Sequence, residues 1–190
     1  MPMEKAIWKP GTMVYPVPVA MVSCGDNKEN YNIITIAWTG TASSEPPMAY
    51  ISVRPSRHSH AIIKRTGEFV INLVTKKLVA AADFCGVKSG RDINKFTRMK
   101  LKPLKADQVA APLIAQSPVN IECRVTDVVP LGSHDMFLAR VLCIHADKKY
   151  IDKKGAFRFD AAEPVCYSHG KYYQLGKELG HFGFSVKKKK

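Results

Sequence analysis

The 190-residue sequence predicts a mainly β chain, a closed or split antiparallel barrel with a few short helices. Three observations lead there. Short runs rich in β-branched and apolar residues recur from Val14 to Ala146 with turn signals between them. One of these, Val119 to Val129, alternates apolar and polar residues as a half-buried strand does. No regular strand–helix alternation of the kind that builds a parallel sheet is present, nor any GxGxxG or GxxxxGK(S/T) loop, which excludes a nucleotide-binding α/β sheet.

The elements follow in order. Val14 to Cys24 is valine-rich with Pro16 and Pro18 inside it, and it reads as an edge or barrel strand running into the turn at Gly25-Asp26-Asn27. Tyr31 to Thr39 is the next strand. Pro46 and Pro47 punctuate a loop before a β segment over Met48 to Val53. From Ser56 the pattern changes: Ala61, Ile62 and Ile63 followed by Gly67 predict a short helix with a glycine stop. Glu68 to Val74 is again a strand, and alanines with a leucine at helical spacing place a second helix over Lys77 to Phe84, ended by Cys85-Gly86. Ser89 to Pro118 is polar, proline-bearing and weakly periodic, which predicts short helical turns and an excursion from the core. Val119 to Val129 sets Val119, Ile121, Cys123 and Val125 on one face and Asn120, Glu122, Arg124 and Thr126 on the other. Met136 to Ala146 is its hairpin partner across a turn near Gly132.

Composition bounds the rest. Hydrophobic residues make up 46% and charged residues 24%, enough for a real core and far from a disordered or collagenous chain. One domain over residues 1–186, with a solvated basic tail at 187–190, fits the length. The longest nearly apolar stretch, Val14 to Val22, is broken by two prolines and too short to span a bilayer, and no signal peptide is visible, so a cytoplasmic protein is expected. Five cysteines without CxxC spacing suggest neither a disulfide framework nor a metal site. Basic residues number 29 and acidic ones 16, a net +13; four of these charges sit in Lys187–Lys190, which leaves +9 in the body. That excess favours anionic ligands or partners. Nucleic acid would call for basic residues interleaved with exposed aromatics along strands, whereas the aromatics here are scattered and the basic cluster is compact.

Chemistry concentrates between Asn32 and His60, NIITIAWTGTASSEPPMAYISVRPSRHSH. Hydroxyls at Thr35, Thr39, Thr41, Ser43 and Ser44 follow a β run, and Arg54, Ser56, Arg57, His58, Ser59 and His60 directly precede the first helix. Guanidinium groups, hydroxyls and the free N–H groups of a helix start are what a phosphate monoester needs. The same residues also suit a plain basic turn with Ser56 or Ser59 as the helix N-cap.

This stretch, with CGVKSGRDINKF at 85–96, GSHDMFLARVL at 132–142 and YSHGKYYQLG at 167–176, resembles the flavin reductase-like family of FMN-binding split barrels, which includes flavoredoxins and flavin or ferric reductases. The resemblance implies that Thr35, Ile36, Ala37, Trp38 and Thr39 line the isoalloxazine ring, with Ser43 and Ser44 close by. It implies that Arg54, Ser56, Arg57, Ser59 and His60 hold the 5′-phosphate, and that Lys95 approaches the flavin, in some relatives from a neighbouring subunit. His134 matches the histidine of the family's G-D-H-x-x-F signature at the hydride-transfer face, and Tyr167, Tyr172 and Tyr173 fall where the C-terminal segment closes the site. Ser133 stands in place of the usual acid of that signature, and Arg140 where many relatives carry a glutamate.

The implied activity is that of an FMN-dependent oxidoreductase, with NAD(P)H as co-substrate and flavin, Fe(III) or another molecule as acceptor. A homodimer is expected. The alternative within the same class is a flavoredoxin-like electron carrier whose positive charge meets an acidic redox-protein partner.

Overall fold

The computed structural model describes residues 4–186, so the lysine tail lies outside the described residues. The strands and helices run β1 (Val17–Pro18), β2 (Ala20–Cys24), β3 (Asn32–Ile36), β4 (Thr39–Ser44), β5 (Pro47–Val53), α1 (His58–Thr66) and β6 (Glu68–Leu73). They continue with α2 (Val79–Val87), α3 (Lys95–Arg98), β7 (Pro103–Leu104), β8 (Leu113–Ile114), β9 (Val119–Pro130), β10 (Asp135–Ala146), β11 (Val165–Ser168) and β12 (Lys171–Gln174). Seven of the strands form one antiparallel sheet in the order β3-β2-β6-β9-β10-β5-β4.

Ala37 and Trp38 show why that sheet closes. They are the whole connection between β3 and β4, the two edges of the sheet. In a flat sheet those edges would lie about 29 Å apart, whereas three peptide steps reach about 11 Å at most. The sheet therefore curls into a split barrel, and Ser52 N–H donates to the Trp38 carbonyl at 2.9 Å across the join. Residues Thr39 to Ser44 form a separate edge strand β4 that the sequence did not predict, since Thr39 was expected to end the preceding strand; its small polar residues carry no apolar alternation because most of it faces solvent.

The barrel interior is filled by alternate residues of its strands, among them Val22, Ile51, Phe69 and Phe137, and is plugged by Ile62 and Ile63 of α1. That helix ends as its sequence predicts: Gly67 is left-handed at φ 68° and its N–H donates to the Ile63 carbonyl. A second core forms outside the barrel, where α2 and α3 cover Met21 and Ile33 with Ala82, Cys85 and Phe96. β2 is thus buried on both faces.

Two expectations need correction here. The second helix runs through Cys85-Gly86 to Val87, because Cys85 packs inward and Gly86 sits against Thr35. The 89–118 segment is no excursion: Ala106, Ala111 and Leu113 pack on Val70 and cover the outer face of β6 and β9. Asn72 fastens it, accepting from Ile114 N–H at 2.9 Å and from Asn120 Nδ2 at 2.7 Å. The supposed solvent face of β9 is therefore dry over its first half, and Glu122 is fully buried. Its carboxylate accepts N–H bonds from Asp107, Gln108 and Val109, which compensates the loss of water. A small sheet, β1-β11-β12, brings the C-terminal segment beside the start of the barrel.

Candidate functional site

Two clefts, of about 420 Å³ and 550 Å³, meet along shared walls at Ile34, Arg54, Arg57 and Gly86. Together they form one elongated groove whose two ends differ in chemistry.

The first end is aromatic. Its floor is the β3 to β4 join, Thr35, Ile36, Ala37 and Trp38, because the strand order forces this short crossing to the barrel rim. Trp38 is exposed, and its ring lies 4.7 Å from that of His134, tilted by 56°. His134 sits in the β9–β10 hairpin, where Gly132 supplies a left-handed turn at φ 82°. Ser133 Oγ lies 2.9 Å from His134 Nδ1. Burial, then the nearby Arg54 charge, lowers the His134 pKa. Tyr15, Tyr167 and Tyr172 close the far side. Tyr172 donates to Asp83 at 3.1 Å, and burial, with that carboxylate, pushes its hydroxyl up to about 12.

The second end is cationic. Arg54, Arg57, His58, Lys88, Arg91 and Lys95 line it together with Ser56 and Ser59, and no carboxylate does. α1 opens onto this end: Arg57 is its N-cap, no side chain caps it, and its first turn holds no acid. The helix's first N–H groups and the positive end of its dipole are thus uncovered. The alternative that Ser56 or Ser59 is an ordinary cap does not hold, since Ser59 is buried and accepts from Asn32 Nδ2 at 2.8 Å. Lys95 is buried and donates to the carbonyls of Ile33, at 2.6 Å, and Cys85, at 2.8 Å, of its own chain. Burial lowers the Lys95 pKa. Burial, then the charges of Arg91 and Lys95, lowers that of His58.

Five expected residues, Thr39, Ser43, Ser44, His60 and Tyr173, stand outside the groove lining. Thr39 is buried and donates to the Tyr50 carbonyl at 2.7 Å, while Ser43 and Ser44 lie on the outer edge strand. His60 turns inward onto Phe137 and pairs with Asp135 at 2.7 Å, so it joins α1 to the strand that follows His134. Of the C-terminal tyrosines, Tyr167 and Tyr172 line the groove and Tyr173 is exposed outside it. Conversely, Tyr15, Asp83, Lys88 and Arg91 were not singled out from the sequence. For Lys88 and Arg91 a signal existed in the KSGR run beside a glycine; Tyr15 and Asp83 reach the groove only through tertiary packing. Gly90 is what lets that run approach: a Cβ there would sit 2.1 Å from Asn32 Oδ1.

Cys85 lines the cationic end, and Cys24 lies beside Ser59 and Lys95. Burial pushes Cys24 up to about 12 and Cys85 to about 11, so both remain thiols. Among the described residues no helix is long and apolar enough to cross a membrane.

Comparison with known proteins agrees with the fold. An uncharacterized protein of Archaeoglobus fulgidus is 30% identical over 135 residues, spanning 70% of this chain and 75% of its own. A Streptomyces viridifaciens protein named NADPH-flavin oxidoreductase is 26% identical over 135 residues, spanning 69% of this chain and 67% of its own. The structure of flavoredoxin of Desulfovibrio vulgaris (Miyazaki F) superposes with a TM-score of 0.89 at 26% identity, covering 97% of this chain and 100% of that one. The family model described as Flavin reductase like domain matches residues 12–176, and the chain belongs to that family.

Proposed function

We propose that the groove holds FMN and that the protein is an oxidoreductase that moves hydride or electrons from NAD(P)H to an acceptor such as free flavin, Fe(III) or another molecule. The observation that carries this reading is the pairing of an aromatic cleft with a cationic one. An aromatic head with a dianionic tail fits that polarity, and the volumes lie in the usual range for small-ligand pockets. Bound FMN would supply the redox chemistry.

The chain's own residues do the rest. Arg54, Arg57 and the first N–H groups of α1 bind the phosphate, helped by Ser56, Lys88 and Arg91. Thr35 is held rigid by donating to the Ala82 carbonyl at 2.5 Å, so the main chain from Thr35 to Trp38 meets the ring at a fixed distance. Lys95 keeps a positive charge beneath the groove, tying β3 to α2 while favouring electron-rich states of whatever lies above. Tyr15, Tyr167 and Tyr172 exclude water from one side. His134 positions the nicotinamide beside Trp38 and manages a proton at its imidazole; no side chain is needed as a nucleophile.

The test is optical. Purified protein is expected to be yellow and to release FMN, and anaerobic NADH or NADPH should bleach it rapidly, with His134→Ala slowing the bleaching while FMN stays bound. A colourless protein that takes up no FMN would overturn the reading. The likeness to flavoredoxin and the net +13 favour a second reading, an electron carrier fed by an acidic redox protein. In that case neither nucleotide bleaches the flavin, and reduction by a ferredoxin slows steeply with added salt as screening shortens electrostatic steering.

A further inference from the structure

On the outer wall of the barrel, away from the groove, four side chains of metal-ligating type converge. Cys143 and His145 stand two residues apart on β10 and so share a face, and Glu122 is the register partner of Cys143 on β9. Asp107 comes from the segment that covers this face. One donor atom from each lies within 4.8 Å of the other three. None of the four lines the groove.

We infer that this cluster is a binding site for a single divalent transition-metal ion of the Zn²⁺ class. The donor set points to that class: a thiol and an imidazole select zinc, cobalt or iron over calcium and magnesium, which take oxygen ligands. Spacing is close to that of such a site, with the Cys143 to His145 distance inside the tetrahedral range and the Asp107 to His145 distance just beyond it. Ligand atoms around a tetrahedral zinc are separated by about 3.3–3.8 Å, and Cys143 Sγ lies 3.6 Å and Asp107 Oδ2 3.9 Å from His145 Nε2.

Glu122 is already placed as a ligand. The N–H groups of Asp107, Gln108 and Val109 fix both of its oxygens, so a metal bound there costs little side-chain ordering. The remaining contact, His145 Nε2 to Glu122 Oε1 at 2.5 Å, is the hydrogen bond that the ion replaces. His145 then carries its proton on Nδ1, Cys143 passes its thiol proton to solvent, and the dication sits among one thiolate, one imidazole and two carboxylates. Asp107 is exposed and leaves an entry path from solvent, while the other three are half or fully buried. An ion at this point clamps the 105–112 segment onto β9 and β10, and it does so independently of whatever the groove binds.

Equilibrium dialysis of the full chain, with its native cofactor content, against buffered Zn²⁺ tests this, followed by elemental analysis. Wild-type protein is expected to retain one equivalent, and Cys143→Ser and His145→Gln to bind more than about tenfold more weakly with unchanged circular dichroism. Cobalt added to the wild type should produce a thiolate-to-cobalt charge-transfer band in a difference spectrum, a readout that survives even if both variants fold poorly. No retained zinc, equal retention in both folded variants, or cobalt uptake without the thiolate band would each overturn the site and leave the four side chains as a hydrogen-bonded clamp.

Discussion

Arg57 is the residue on which the phosphate assignment is best tested. It is exposed, it lines both halves of the groove, and its guanidinium carries no partner carboxylate among the described salt bridges. A charge-assisted hydrogen bond contributes about 1.5–3 kcal/mol, so Arg57→Ala should weaken FMN by roughly tenfold to a hundredfold while riboflavin, which has no phosphate, changes little. Fluorescence titration with both ligands checks this; equal weakening would refute the placement. Ser59 is a poorer probe, because removing its hydroxyl strands the buried Asn32 amide. His58 gives a second test. Burial first, then the charges of Arg91 and Lys95 against the opposing acid Asp92, hold its pKa below 6.5 in the folded protein. The unfolded chain therefore binds the proton first, so this contribution to stability is intact above 6.5 and is lost as pH falls below it. His134, lowered by burial and Arg54, acts with the same sign. Urea denaturation of the flavin-free protein is expected to show stability falling between about pH 7.5 and 5.5, with a shallower fall in His58→Gln and with inorganic phosphate present.

At the scale of elements, the site depends on how closely the 88–91 turn approaches β3. Gly90 faces Asn32, whose amide in turn holds Ser59 at the start of α1. A methyl group at position 90 has to displace Asn32 and with it the link between β3 and α1. Gly90→Ala should cost about 1–3 kcal/mol as an overpacked contact and should weaken FMN through the displaced Lys88 and Arg91. Chemical denaturation and flavin titration on the same variant measure both; unchanged stability would show that the turn yields without strain. The His60–Asp135 pair works at the same scale, since it locks the helix that offers its N-terminus to the strand that follows His134.

For the whole molecule, the two chain ends are unlike the rest of the surface. Ile7 at one end and Leu179 and Phe182 at the other are almost fully exposed, and Trp8 is 77% exposed. Apolar side chains of that size clustered at both termini favour burial on association. We propose that a second copy of the chain covers them. Sedimentation at micromolar concentration should give a homodimer, and Trp8→Lys combined with Phe182→Lys should shift it toward monomer; a wild-type monomer at that concentration would remove the proposal.

Several features were readable from the chain alone because they rest on local physics. The Gly67 helix stop follows from the left-handed region open to glycine, and the β9–β10 hairpin from period-two alternation around a turn. The convergence of Arg54, Ser56 and Arg57 before α1 was legible for the same reason, being contiguous in sequence. β4 was missed because a polar edge strand carries no periodic signal. Glu122 was read as solvent-facing because alternation reports two faces but not what covers the second one. His60 sits in the basic run, yet helical geometry turns it 100° per residue away from its neighbours and into the core. Tyr15, Asp83 and Tyr172 meet at the groove only because the small β1-β11-β12 sheet and the residues leading into it pack beside α2. The sequence by itself determined most of the long strands, the Gly67 helix stop and the basic turn before α1, whose causes lie within a few residues. The tertiary structure alone decided which polar groups are dry, which cations line one cleft and which four side chains of ligating type meet on the outer wall, because those depend on chain segments tens of residues apart.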